Sequence, residues 1–191
     1  MRKEDFMTTT DINVGKRIIT HLKNLSPVTE IERNVFSVTR LAYSEDEKKA
    51  KNYFIAQCKK ENLEIRTDQA GNIIARRAGI NCDAPAVACG SHLDSVVNGG
   101  IYDGALGVMC ALESVRKLNN ENISTEHPIE IIAFTSEESS RFGVSTIGSK
   151  AMSGLIDIEV LKTLKDRNGM SFEQAVQDQG LKLEEFPNAK R

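Results

Sequence analysis

Two apolar runs near the middle of the chain, residues 86–90 (AVACG) and 129–134 (IEIIAF), are separated by a single helical pattern, and polar residues capable of chemistry follow each run directly. The first run follows Pro85 and reads as a buried strand, the second as another strand. Between them, residues 104–118 place Leu106, Met109, Cys110, Leu112, Val115 and Leu118 at helical spacing. Alternation of this kind predicts an α/β fold, with helices layered on a mixed sheet in an αβα arrangement. At 191 residues the chain is long enough for one such domain with a real core.

The flanks extend the pattern. Residues 11–24 carry Val14, Ile18, Ile19 and Leu22 on one helical face. Residues 45–61 predict a second helix, capped by Ser44, with Ala50, Tyr53, Phe54 and Cys58 facing inward. Short strands are expected at 63–68 and 72–77, joined by a hairpin-type connection in which Gly71 supplies the unusual dihedral. Weaker helices are expected at 146–153, 157–165 and 171–179, and the tail from Gly180 to Arg191 shows no convincing element.

Composition removes several function classes. Lys plus Arg number 25 and Asp plus Glu 27, a balance that gives no reason to invoke nucleic acid or an anionic membrane. No apolar run is long enough to span a bilayer, and the polar, Thr-rich stretch from Met1 to Asp11 lacks the apolar region of a secretory signal, so a cytoplasmic protein is expected. Cys58, Cys82, Cys89 and Cys110 form no C-x-x-C pair and read as reduced, largely buried thiols.

The chemistry gathers where the two apolar runs end. The first leads into Gly90-Ser91-His92-Leu93-Asp94 and then Gly99-Gly100-Ile101-Tyr102-Asp103-Gly104. Loops at strand ends are where open α/β sheets place their sites. Residues two apart on extended backbone share a side, so Asp94 can orient a metal-binding His92 and raise its basicity. Asp103 stands at a loop-to-helix junction, where a carboxylate either bridges two metal ions or caps the helix. The second run leads into Thr135-Ser136-Glu137-Glu138. Adjacent carboxylates point apart, so one can bind metal while the other acts as a general base; the same residues also spell a capping box. Imidazole with carboxylates suits Zn, Mn, Co or Ni. The glycines at 99, 100 and 104 let backbone fold tightly around such a site. Arg141 can hold an anionic substrate group or pair with a carboxylate inside the fold. His21 and His127 read as structural.

Taken together, GSHLDS, NGGIYDG, IEIIAFTSEE, SRFG and GSKAM, with TRLAYS at 39–44 and DQAGNIIAR at 68–76, resemble the hydantoinase/carbamoylase-type amidases of the M20 metallopeptidase group. That group includes N-carbamoyl-L-amino-acid hydrolases, allantoate amidohydrolases and β-ureidopropionases. The resemblance implies two divalent metal ions, with His92 a ligand of one, Glu138 a ligand of the other and Asp103 the bridging carboxylate. It implies Glu137 as the general base, Asp94 as the partner of His92, and a small carbamoyl or ureido substrate whose C–N bond is hydrolysed. It also implies a homodimer. One departure is Ser139, where the family usually has Gly.

The resemblance further implies that residues 1–191 form the N-terminal part of a catalytic domain. A His-Ile-Glu-Gln-type segment, a lid and dimerisation domain, and a C-terminal segment with a final His ligand would lie beyond it. Counting ligands agrees, since two ions sharing Asp103 have two protein ligands each and an open catalytic site takes about three. A truncated, non-catalytic product, or an aminopeptidase or dipeptidase of the M20 group, remains as another reading of the same motifs. A sheet without its final strands is expected to expose an apolar edge and to associate.

Overall fold

The computed structural model of the protein describes residues 9–32 and 35–191. Most of the N-terminal stretch read as lacking a signal sequence, residues 1–8, lies outside the described residues. No described helix is long and apolar enough to cross a membrane.

Helix α1 (Thr9–Leu25) is followed by two short strands, β1 (Thr29–Glu32) and β2 (Val35–Val38). Helix α2 (Glu45–Lys60) starts where expected, because the Ser44 hydroxyl accepts a hydrogen bond from Glu47 N and the Glu47 carboxylate reaches back to Tyr43 N. Acidic Glu45, Asp46 and Glu47 fill its first turn and Lys59 and Lys60 its last, which complements the helix dipole. Strands β3 (Glu64–Thr67) and β4 (Ile73–Arg77) form the predicted hairpin. Its connection is built by Asp68, whose Oδ1 accepts from Ala70 N and Asn72 N, and by Gly71 at φ +90°.

Strands β5 (Val87–His92) and β6 (Gly99–Gly100) precede helix α3 (Ala105–Asn120), and β7 (Ile129–Phe134) follows. Three short helices close the chain, α4 (Ile147–Ser153), α5 (Ile158–Thr163) and α6 (Phe172–Gln177), with a 3₁₀ helix at Leu183–Ala189. The main sheet runs β3-β4-β7-β5 and is mixed, since β5 pairs with β7 in parallel while the other pairs are antiparallel. A parallel pair needs a long crossover, and α3 supplies it. The fold is therefore mixed α/β, as predicted.

Side chains alternate across this sheet. Ile73, Ala75, Ile131 and Ala133 face a core shared with Leu22 and Leu25 of α1, Phe54 and Cys58 of α2, and Met109, Leu112 and Val115 of α3. A second core joins Tyr43 and Phe142 to Ile147, Phe172, Leu183 and Phe186. The tail from Gly180 thus departs from its sequence reading. Leu183 and Phe186 are buried three residues apart, and a 3₁₀ turn brings positions i and i+3 onto one side.

Two further readings need correcting. The strand expected to be buried, β5, is an edge strand with Val87 61% exposed. An apolar run reveals propensity but not whether a neighbour covers it. Strands β1, β2 and β6, where no element was expected, form a separate antiparallel sheet in which Gly99-Gly100 pair with Val38 and Ser37. Only Cys58 is buried; Cys82, Cys89 and Cys110 are exposed free thiols.

The free edge of β5 presents unpaired backbone groups beside an apolar residue, so the 191-residue chain is expected to self-associate. Substitution V87K should shift light-scattering mass toward the monomer; equal masses for both proteins would contradict this.

The opposite face of the sheet carries a buried ion cluster. Arg76 Nη1 lies 3.0 Å and Arg191 Nη1 2.6 Å from the Glu130 carboxylate. Burial pushes this carboxyl up, but hydrogen bonds from Arg191 and Arg76 and the charges of Arg191 and Arg66 outweigh it and hold the group below the ordinary glutamate value. The folded pKa is then below the unfolded one, so the stabilisation is present above the unfolded value and is lost as pH falls through the folded value. Thermal melts over the acid range should show E130Q with a flatter dependence on pH than the parent; parallel curves would refute the assignment.

Candidate active site

Strands β5 and β7 run in parallel with His92 opposite Phe134, so both chains leave the sheet at the same end. The residues just past each strand therefore meet. His92 sits at the end of β5, Asp103 stands before α3, and Glu137 and Glu138 follow β7. Gly104, the N-cap of α3, has φ +63° and passes so close to His92 that a Cβ there would lie 2.4 Å from Cε1. Only glycine meets both demands.

One ligand atom from each of His92, Asp103 and Glu138 lies within 4.8 Å of the others. His92 Nδ1 is 3.0 Å from the carbonyl oxygen of Asp94 and 3.6 Å from its carboxylate. In the neutral ring, a proton on Nδ1 donated to that carbonyl leaves the lone pair on Nε2, on the side of Asp103 and Glu137. Nε2 is 3.8 Å from Asp103 Oδ1 and 3.6 Å from Glu137 Oε2. Burial disfavours the charged imidazole, but the Asp94 hydrogen bonds and charge, with Glu137, raise its pKa to about 9. Glu138 is pushed up from the usual range by burial and by the charges of Asp103, Glu137 and Asp94, although His92 opposes them. An imidazole and the carboxylates of Asp103, Glu137 and Glu138 gathered in one place form an environment that draws positive charge.

Asp94 does more than its place two residues after His92 foretold. It is wholly buried, and its two oxygens accept hydrogen bonds from Glu137 N at 3.2 Å and Glu138 N at 3.0 Å. Its carbonyl orients His92 while its carboxylate holds the backbone that carries both glutamates. The carbonyls of the same turn are also fastened: Thr146, Ile147 and Gly148 donate to Glu137 O, Ser136 O and Thr135 O.

Sequence reasoning missed Arg40. This fully buried guanidinium donates from Nε to Leu93 O at 2.7 Å, between His92 and Asp94, and from Nη1 to Ser26 Oγ at 2.8 Å. Burial lowers its pKa, and the charges of Asp94 and Glu47 oppose that effect. The only signal was its place in TRLAYS.

The bland alternatives for the ligands do not materialise. Helix α3 is capped at Gly104, so Asp103 precedes the capping position, and its side chain is 57% exposed. No helix starts at Thr135; its hydroxyl is 3.0 Å from Gly71 O and also meets Lys51 and Glu47. Arg141 takes the structural course. Its Nε pairs with Asp166 at 3.2 Å, its Nη1 donates to Ala42 O at 2.6 Å, and its guanidinium lies 4.9 Å from the Phe142 ring centre. The other histidines stand in other surroundings, His21 with Tyr53 and Glu113, His127 with Pro85 O.

The profile of peptidase family M28 matches residues 72–167. The N-carbamoyl-L-amino acid amidohydrolase of Geobacillus stearothermophilus is 40% identical over 93% of this chain and 42% of its own length. The allantoate amidohydrolase of Bacillus subtilis is 32% identical over 81% of this chain and 37% of its own. A hydantoinase/carbamoylase family amidase from Burkholderia ambifaria superposes with a TM-score of 0.78 at 32% identity, covering 88% of this chain and 41% of that one. The chain thus spans about two fifths of the length of the proteins it matches.

The contact between Gly104 and His92 can be probed without any ligand. Substitution G104A is expected to cost about 1–3 kcal/mol, typical of a strained backbone position, and to displace the ring. A changed His92 imidazole resonance with a lowered melting temperature is the expected result; an unmoved resonance would overturn the packing argument.

Proposed function

This chain belongs to the M28/M20-type hydantoinase/carbamoylase family, and from that premise we propose that it carries the first half of a metal site for hydrolysing the C–N bond of a small carbamoyl or ureido compound. The observation that supports this most directly is the convergence of His92, Asp103 and Glu138, with Glu137 beside them and 38% exposed. The donor set fits divalent Zn or Mn, with Co or Ni as further possibilities, because it offers imidazole and carboxylate and no thiolate. In this reading His92 would hold one ion, Glu138 the other, and Asp103 would serve both. When bound, the ions supply a Lewis acid for the substrate carbonyl and make water acidic enough to react near neutral pH.

The protein groups divide the remaining work. Glu137, not committed to a ligand role, accepts the proton of the attacking water and returns it to the leaving nitrogen. Asp94 fixes the tautomer and direction of His92 through its carbonyl. Arg141, with its donors occupied inside the fold, is left out of substrate binding. The relatives' greater length supports reading residues 1–191 as the N-terminal part of a catalytic domain whose lid lies elsewhere in a longer polypeptide; a cytoplasmic homodimer is the form proposed for that enzyme from the family resemblance alone.

The ligand count favours a second reading for the 191 residues alone. With two protein ligands for each ion they bind metal without turning over substrate. Calorimetry with Mn²⁺ or Zn²⁺ on this chain, and hydrolysis of N-carbamoyl amino acids and allantoate by the gene product containing it, test the two readings separately. In that gene product E137Q should lower kcat by about 10²–10⁴-fold while metal still binds, and H92A should lose metal. Metal-loaded protein without activity on any ureido compound would reject the proposed reaction.

A further inference from the structure

The segment 68–76 stands out in the sequence, and neither metal binding nor proton transfer uses it. Within it Asn72 is fully buried, and its carboxamide joins three separate pieces of chain. Oδ1 accepts from Thr135 N at 2.9 Å, and Nδ2 donates to Asp68 Oδ2 at 2.7 Å and to Gly148 O at 3.0 Å. The partners settle the orientation of the amide, because flipping it would face an NH₂ with an N–H and an oxygen with a carboxylate. Its backbone N–H also donates to Asp68 Oδ1, and its carbonyl accepts from Asp68 N.

The turn served by this joint does not hold itself. Ser136 has φ +48° and Thr146 φ +59°, left-handed conformations that L side chains adopt only when surroundings impose them. Asp94 restrains the turn at Glu137 N and Glu138 N, and the start of α4 restrains its carbonyls. Asn72 adds the restraint from the β3–β4 side, and it ties the other two together because it grips Thr135 and Gly148 at once. The fit leaves no slack: a Cβ on Gly148 would lie 2.1 Å from Asn72 Oδ1 and 2.6 Å from Thr135 O.

We infer that Asn72 is a positioning residue for the Glu137–Glu138 turn, setting the backbone from which the proposed base and the proposed metal ligand project. The inference rests on the functional reading for its consequence, though not for its geometry. An amide is required, since one end must accept from an N–H while the other donates to a carboxylate and a carbonyl. Aspartate would place a second carboxylate against Asp68 and remove the side-chain donor to Gly148 O. Leucine has the shape and none of the hydrogen bonds.

The test uses the full 191-residue chain as wild type, N72D and N72L, with V115A as a control that loosens the first core at a distance from the turn. N72D keeps an acceptor for Thr135 N, so it guards against the case in which N72L fails to fold. The first readout is amide hydrogen exchange at Glu137 and Glu138, whose N–H groups Asn72 does not touch. Exchange there should accelerate about tenfold or more in the Asn72 variants, beyond any change in the strands, while V115A changes it only in step with global stability. The second readout is calorimetric affinity for Mn²⁺ or Zn²⁺, expected to fall about 10–100-fold, as when a partner behind a metal ligand is lost. Unchanged exchange at Glu137 and Glu138 in a folded N72D overturns the inference. Absence of metal binding by the wild type would instead count against the functional reading, and the exchange result would still decide the role of Asn72.

Discussion

The arrangement depends on one buried carboxylate. Asp94 lies at the join between two strand ends, and its oxygens satisfy the N–H groups of Glu137 and Glu138. An ionised carboxylate removed from water is costly unless charge and hydrogen bonds replace its hydration. Two N–H donors supply part of that replacement, and the buried Arg40 adds charge from behind. Arg40 is in turn fastened to Leu93 O and Ser26, so strand β5, the segment after α1 and the turn after β7 share one polar joint. Removing any partner would leave another buried group unmatched, which is why such joints tolerate little change.

That joint works because the topology delivers both strand ends to the same place. With β5 and β7 parallel and in register from Val87 opposite Ile129 to His92 opposite Phe134, the next residues of each chain must emerge side by side. An antiparallel pair would have put them at opposite ends of the sheet. Helix α3 permits the parallel pairing, and its own start, with Gly104 pressed against His92, returns Asp103 to the same end. The crossover that builds the sheet therefore also brings the Asp103 carboxylate to the same end.

How much of this was legible in the sequence follows from what kind of signal each feature leaves. Periodicity marks helices and the longer strands, so α2, α3, β4 and β7 lie close to where their apolar spacing placed them. The four-residue strands β1 and β2 and the Gly-Gly strand β6 are too short to leave a pattern. Val87 had the propensity of a strand residue, but its exposure depends on the absence of a neighbour beyond β5. The ligand-type residues were found because residue type and strand-end position coincided. The polar residues holding them were not, since nothing in a sequence says that an Arg or an Asn is buried. Arg40 and Asn72 were visible only as letters in motifs with no chemical role assigned. For Arg141 the sequence left two readings open, a substrate contact or a carboxylate pair, and the fold shows it paired with Asp166 and bonded to Ala42 O.

The residues around the site sort by what they hold. Asp94, Arg40, Asn72 and Thr135 are all buried, and each bonds to backbone of the strand ends or turns. Asp103 and Glu137 keep exposed carboxylates and lend only their main chain to the scaffold. Backbone position is thus set by groups that water does not reach, while the carboxylates of Asp103 and Glu137 stay accessible and His92 is buried at the end of its strand. Ser139 lies just beyond the last restrained N–H, that of Glu138. A serine in place of the family's glycine there disturbs neither the Asp94 joint nor the Asn72 joint. The same logic makes Gly104 and Gly148 sensitive positions beside the site, because a side chain at either one would enter a space already filled by His92 or by Asn72.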